Sequence, residues 1–321
     1  MRLHLLAALV VAALLAGARP AAAQSLPLPV AIGADGLMVR AEAGMEGPAR
    51  RVARRARAEL AAIADDLPGL AVPRWVEIRL VKRSEDLAGA APPGRRPPPW
   101  AIGVAYPDEG VVVVANRRGP MPADLDSVVT HELAHLALGA ALGERAPRWL
   151  HEGFSYLHSS DFSLERTRTL TGMAWTGDVI PLEDLDRSFP AAENEAARAY
   201  AQSYDFVSYL ARRGRSSSAT DDGNRWPFRE FLVSLARGAT LEQAARRSFS
   251  AGMSDLFDDW RQSLRDRYLV LPAGLLGLLV WVFAAVLLVL AFFRKRRLGR
   301  ATLARWAEEE AAKDVDHGPP G

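Results

Sequence analysis

The stretch His131-Glu132-Leu-Ala-His135 lies inside an apolar segment, residues 124–142, that predicts an α-helix. Residues four apart share one face of a helix, so the two histidines can point at a single ion. Zinc accepts neutral imidazole nitrogens as ligands at about 2.0–2.1 Å. Glu132 is rotated away from the ligands and can reach a water molecule without binding the ion itself. A chance occurrence is the competing interpretation, which the small number of histidines, six, makes uncommon.

The third ligand has to come from a later segment, because a catalytic zinc keeps three protein ligands and one open position. The chain has no cysteine, so this ligand must be a histidine or a carboxylate. The next helix candidate, residues 148–159, follows Pro147 and carries His151 and Glu152 side by side. Neighbouring residues lie about 100° apart around a helix, so one of the two can face the metal. We favour Glu152, and His151 is the alternative.

The sequence on either side of the motif predicts an α+β domain, with strands first and helices afterwards. The predicted strands are residues 30–40, with a turn at residues 34–36, and residues 75–81, 100–106 and 111–116, with a helix over 47–67. The predicted helices are residues 124–142, 148–159, 193–213, 227–237, 241–248 and 253–268. The strand just before the metal helix, residues 111–116, either edges a cleft or is a buried central strand, since its valines do not alternate with polar residues.

This combination resembles the gluzincin metallopeptidases, and more narrowly the bacterial exported proteins of the peptidase MA-like family. The similarity covers about residues 111–268 and rests on the histidine motif and on Pro147-Arg-Trp-Leu-His-Glu-Gly153. It implies a zincin-like metallopeptidase domain with an N-terminal mixed sheet, an active-site helix and a helical C-terminal half. The spacing between the motif and Glu152 is shorter than in the best-known gluzincins, and Tyr156 stands where they have an aspartate.

The resemblance also implies roles for individual residues. His131, His135 and Glu152 are expected to bind Zn²⁺, and Glu132 is expected to act as the general base in peptide-bond hydrolysis. Such a reaction needs a hydrogen-bond donor for the oxyanion. Gluzincins supply it from a later helix, where this chain has Tyr200 and Tyr204 four residues apart. We favour Tyr200, while packing of both tyrosines against the core is the alternative.

The N-terminus has the three parts of a secretory signal: a basic start, an apolar run and small residues before Gln24. We predict a signal peptide over residues 1–23, with an uncleaved N-terminal anchor as the alternative. Both interpretations place the following domain, residues 24–268, outside the cytoplasm.

Residues 269–293 contain no charged side chain and are long enough to cross a membrane as a helix. Residues 294–297 are all basic, which favours the cytoplasmic side for the C-terminal tail. We therefore predict one C-terminal transmembrane helix and a cytoplasmic tail over residues 294–321. A buried core helix is the competing interpretation. The domain is then expected on the periplasmic or extracytoplasmic side of the cell membrane.

The near balance of 40 basic and 38 acidic residues gives no electrostatic case for nucleic-acid binding. The partners expected are therefore a peptide or protein substrate and the membrane. Two functions of different class fit the sequence. The first is an active zinc peptidase, and the second is a catalytically inactive zinc-binding scaffold or interaction protein of the cell envelope. Glu132 favours the first, because a scaffold has no need for a general base.

Overall fold

A mixed sheet forms the N-terminal half of the domain in the computed structural model, which describes residues 25–159, 164–187, 189, 193–213 and 227–316. Its five strands lie in the order β1-β2-β3-β5-β4. The inner strands β2, β3 and β5 run parallel, and the edge strands β1 and β4 are antiparallel to their neighbours. The strands are β1 (Val30–Ala34), β2 (Leu37–Ala41), β3 (Val76–Val81), β4 (Gly103–Tyr106) and β5 (Val111–Ala115). The short strands β6 (Arg117–Arg118) and β7 (Met121–Pro122) pair separately.

Two helices lie among the strands, α1 at Glu46–Asp65 and α2 at Leu87–Ala90. After residue 122, helices make up most of the described chain. The later ones are α3 (Leu125–Leu142), α4 (Arg148–Ser159), α5 (Leu164–Thr176), α6 (Leu182–Arg187), α7 (Glu193–Arg213), α8 (Pro227–Ala236), α9 (Leu241–Phe249), α10 (Met253–Arg265) and α11 (Leu271–Asp316). The predicted α+β class, with a mixed sheet followed by a helical half, is confirmed.

The central helix α3 is buried on nearly all sides, because it lies between the sheet, α1 and α4. Asp124 begins it by accepting a hydrogen bond from the Ser127 backbone N–H. The larger core joins this helix to one face of the sheet, where Val112 and Val114 point. A smaller core covers the opposite face. The helix that carries the histidine motif is therefore held rigidly against the sheet.

The sequence left open whether residues 111–116 edge a cleft or form a buried central strand. The structure shows that β5 is a buried central strand. All of its residues are buried, and it lies between β3 and β4. The edge strand beside the metal helix is β4, so the alternative in which residues 111–116 edge a cleft is wrong. A run of valines fits a strand covered on both faces and says nothing about its place in the sheet.

The turn predicted at residues 34–36 is present: residues 30–40 form the hairpin β1–β2, and Asp35 and Gly36 adopt positive φ angles of 50° and 84° at its tight turn. Helices α5 and α6 were not among the predicted helices. Gly153 brings α4 close to α7, since a Cβ there would meet the Ser203 carbonyl and Val207.

Helix α7 is fixed by a buried carboxylate in its middle. Asp205 accepts two hydrogen bonds from Arg267, at 2.9 and 2.6 Å, and one from Trp260 Nε1 at 2.8 Å. These bonds satisfy a charge that would otherwise be costly to bury. They join α7 to α10 and to the π-helical turn Asp266–Val270 that leads into α11.

The two terminal predictions have different outcomes. The signal segment, residues 1–23, lies outside the described residues. At the other end, residues 271–293 belong to the long helix α11. In the described part of the chain, no helix combines the length and apolarity needed to span a membrane. The structure therefore does not confirm a transmembrane helix over residues 269–293.

Candidate metal centre

Three side chains from two helices converge at the face where α3 meets α4. The Nε2 atoms of His131 and His135 lie 3.1 Å apart. Glu152 Oε2 lies 3.8 Å from the first of these nitrogens and 3.4 Å from the second. No other His, Cys, Asp or Glu of the described residues joins this group.

The donor set fits a zinc ion. Ligand atoms bound at about 2.0–2.1 Å in a tetrahedral arrangement lie about 3.3 Å from one another, and the three observed separations scatter around that value. Two imidazoles and one carboxylate are a ligand set found in catalytic zinc sites. Because the side chains of His131, His135 and Glu152 are only 12–18% exposed, the three ligand atoms are gathered largely out of water, as a site preformed for a cation requires.

The charges of the three groups depend on one another. Burial lowers the pKa of His131 to about 3, helped by the nearby His135. Burial also lowers the pKa of His135, but the adjacent Glu152 carboxylate outweighs it and raises that pKa overall. Burial opposes ionisation of Glu152, yet the two histidines lower its pKa. Glu152 is therefore expected to be ionised. A metal cation bound between the two histidines would neutralise its negative charge.

Glu132 lies beside this group but faces strand β4 instead. Burial raises its pKa to about 7, while the charge of His135 and, to a smaller extent, the backbone N–H of Ala105 act in the opposite direction. A carboxyl group whose pKa lies near neutrality is suited to take up and release a proton. The structure thus separates the two kinds of carboxylate, one with the histidines and one against the sheet edge.

Gly103 on β4 makes room for Glu132. A Cβ atom at this position would lie 2.7 Å from Glu132 Oε1 and 2.8 Å from Val128 Cγ1. We predict that Gly103→Ala displaces the Glu132 carboxylate and lowers kcat by about 100-fold, since displacement of a reacting group by about 1 Å has effects of that size. Steady-state hydrolysis of a peptide mixture measures the loss.

The matched control for Gly103→Ala is Gly172→Ala in helix α5, where an added Cβ meets no heavy atom within 4 Å. That substitution is expected to leave both kcat and the melting temperature unchanged or slightly raised. Equal activity in the two variants would show that Glu132 tolerates displacement.

His151, the alternative third ligand, lies behind the metal group. Its ring stacks on that of His135 with centroids 5.8 Å apart, and it lies near the Gly143 backbone. Burial lowers its pKa to about 4, which keeps the imidazole neutral. The structure therefore gathers Glu152 with the two histidines and leaves His151 as a packing neighbour of one of them.

Tyr200 reaches the site from α7, and its neighbour there is Arg148. The Arg148 guanidinium is within hydrogen-bonding reach of the Tyr200 hydroxyl. Burial, followed by the charge of Glu152, raises the pKa of Tyr200 to about 12. The phenol therefore keeps its proton and is available as a donor. Tyr204, one turn later, lies under the Arg166 guanidinium, 4.4 Å from the ring centroid.

Tyr156 occupies the position at which the resemblance leads one to expect an aspartate. Its ring meets that of His131 edge-on, with centroids 4.4 Å apart. The Arg166 guanidinium covers the same tyrosine ring at 4.6 Å. Aromatic and cation–π contacts thus surround His131 on this side, and the ring of Tyr156 restricts the orientation of that ligand.

Sequence reasoning missed Gly103, Arg148 and Arg166 at this site. A signal existed for Arg148, which lies four residues before Glu152 in the same predicted helix and therefore on the same face. Gly103 and Arg166 reach the site through tertiary packing, for which the sequence carries no local pattern.

Such a helix pair beside the edge of a mixed sheet is consistent with a zincin-like domain. Residues 55–266 match the family model of the peptidase MA superfamily, and the chain belongs to that superfamily. The matched range contains every candidate site residue, and the resemblance stated from the sequence is confirmed. A comparison with curated proteins found no match.

Proposed function

We propose that the protein is a zinc-dependent peptidase in which His131, His135 and Glu152 hold the ion and Glu132 is the general base. The observation that carries the proposal is the convergence of three ligand atoms beside a separate buried carboxylate with a raised pKa. Membership of the peptidase MA superfamily supports peptide hydrolysis as the activity.

In the proposed mechanism, each residue of the site has one role in hydrolysis. When bound, zinc acts as a Lewis acid, which acidifies water and polarises the substrate carbonyl. Glu132 accepts the proton of the attacking water and then delivers it to the leaving amine. Tyr200 stays protonated and donates a hydrogen bond to the oxygen on which negative charge develops. Tyr200 lies close enough to Glu152 for the carboxylate charge to raise the pKa of the phenol.

The edge of strand β4 supports an extended peptide as the substrate. Among the described strands, β4 pairs with β5 alone. Its other edge faces the site, because the Ala105 N–H lies close enough to the Glu132 carboxylate to lower its pKa. An unpaired edge can bind an extended chain by main-chain hydrogen bonds. A peptide bound along β4 would pass directly in front of Glu132.

Removal of the metal tests the proposal. We expect a zinc chelator to abolish hydrolysis of a peptide mixture and stoichiometric Zn²⁺ to restore it, because the chain's own side chains lack a Lewis acid. Metal content, measured by mass spectrometry of the purified protein, should be close to one zinc per chain. Hydrolysis that survives complete removal of metal would contradict the proposal.

The membrane anchor stays a prediction from the sequence, and we include it in the proposed function. The absence of charge from residues 269–293 supports it, as does the exposure of large apolar side chains such as Trp281, Phe283 and Leu288. The anchor would hold the peptidase domain at the outer side of the cell membrane.

Washing of membranes at alkaline pH tests the anchor. The full-length chain is expected to stay in the pellet, whereas Phe283→Lys combined with Leu287→Lys should release it, since each buried charge costs about 3 kcal/mol. Leu303→Lys, beyond the basic cluster, is the control and should have no effect. Release of the unaltered chain into the soluble fraction would exclude an integral anchor.

A further inference from the structure

Arg148 places a positive charge at the rim of the metal centre. Its Nε atom lies 3.8 Å from Glu152 Oε1, too far for a hydrogen bond. The guanidinium rests on the Phe189 ring, 4.5 Å from the centroid, and reaches the Tyr200 hydroxyl. The backbone N–H of the same residue donates to Asp186 Oδ1 at 3.3 Å. Contacts therefore hold both the backbone and the guanidinium of Arg148 in place.

Much of the hydrogen-bonding capacity of this guanidinium is not used within the described residues. A guanidinium has five N–H donors, and in the described part of the chain the polar groups beside that of Arg148 are the Tyr200 hydroxyl and, at 3.8 Å, the Glu152 carboxylate. The side chain is 48% exposed, so a ligand in the cleft can reach it. A planar fork of donors on an aromatic support is suited to a carboxylate.

We propose that Arg148 forms a subsite for the free carboxylate at the C-terminal end of the substrate. The inference rests on the proposed peptidase function and specifies its substrate class. Each residue of an extended chain spans about 3.3–3.6 Å. The Arg148 Nε atom lies 3.8 Å from the proposed ligand Glu152. A C-terminal carboxylate one or two residues beyond the cleaved bond can therefore reach the guanidinium. The enzyme would then remove the last one or two residues of a peptide.

A second possible role for Arg148 predicts a different kinetic effect when the residue is lost. As a partner of Glu152 at the i,i+4 spacing, it could act only by orienting that ligand. Loss of such a positioning residue would slow every substrate by the same factor. A carboxylate subsite predicts a larger loss for substrates that carry the carboxylate, so paired substrates separate the two roles.

The test uses a mixed-sequence peptide library prepared in two forms, with a free C-terminal carboxylate and with a C-terminal amide. The unaltered protein is expected to prefer the acid form by about 10- to 100-fold in kcat/KM, the range for a hydrogen-bonded charge. Arg148→Gln should abolish this preference by slowing the acid form more than the amide form, and Arg148→Lys should retain part of it. Arg237→Gln, an exposed arginine at the end of α8, is the matched control. Mass spectrometry of the products should show release of one or two C-terminal residues.

Three outcomes would overturn the inference: equal rates for the two forms in the unaltered protein, equal slowing of both in Arg148→Gln, or a preference only for amide peptides with an acidic side chain near the end. A binding measurement keeps the test independent of turnover. Glu132→Gln protein should bind the acid form more tightly than the amide by the same factor, and the added Arg148→Gln should remove the difference. If the unaltered protein cleaves neither form, the proposed function fails, while calorimetry still decides the carboxylate subsite.

Discussion

Replacement of Glu132 by glutamine is expected to lower kcat by about 100- to 10,000-fold, the range that general acid–base catalysis contributes. The amide has nearly the same shape but cannot accept the proton of the attacking water. Because Glu132 lies against β4 and outside the group of three ligand atoms, zinc content should not change. Steady-state kinetics and metal analysis of the same sample measure both effects.

The matched control for this substitution is Glu144→Gln, which alters an exposed glutamate just beyond the end of α3. It should leave kcat, zinc content and stability unchanged. Full activity of Glu132→Gln would exclude this residue as the base. Absence of activity from the unaltered protein as well, with zinc bound, would instead favour the inactive scaffold.

The histidine motif and Glu132 could be predicted from the sequence because their geometry is local. The i,i+4 spacing fixes the relation of His131 to His135 in any helix, whatever packs around it. The relation of Glu152 to them depends on how α4 packs against α3, so the sequence alone left His151 as an alternative. Family resemblance favoured Glu152, and the structure brings it to within 3.4 Å of His135 Nε2.

Helix α5 shows why other parts of the fold were missed. It is rich in threonine, whose branched side chain lowers helix propensity. In the structure three of these hydroxyl groups, on Thr169, Thr171 and Thr176, donate to the backbone carbonyl four residues earlier. Buried Leu170 and Met173 then attach the helix to the core. Tertiary contacts stabilise a helix that the local sequence does not favour.

The Gly103 contact has a similar origin. Nothing in residues 100–106 indicates that one glycine will face a glutamate of a helix that begins later in the chain. The contact exists because β4 lies at the sheet edge next to α3, and strand order is set by the packing of the whole sheet. Fine positioning of the base is therefore a property of the fold, whereas its identity is a property of the motif.

Removal of the third ligand is the second change with a large expected effect. Glu152→Ala should weaken zinc binding by about 1000-fold or more, because it deletes a charged ligand from a site whose total binding energy is shared among few donors. Peptidase activity should fall with metal occupancy. The dissociation constant, measured by competition with a coloured chelator, gives the change directly.

His151→Ala is the matched control, since it removes a neighbour of Glu152 on the same helix. Its ring stacks on that of His135, so its loss removes support for a ligand without removing a ligand. We expect zinc affinity to fall by about tenfold or less, at or below the lower end of what partners of metal ligands contribute. If the two variants exchanged these effects, His151 would be the third ligand, and α4 would have to turn by about 100° in the metal-bound protein. Equal, small effects would mean that His131 and His135 hold the ion without a ligand from α4.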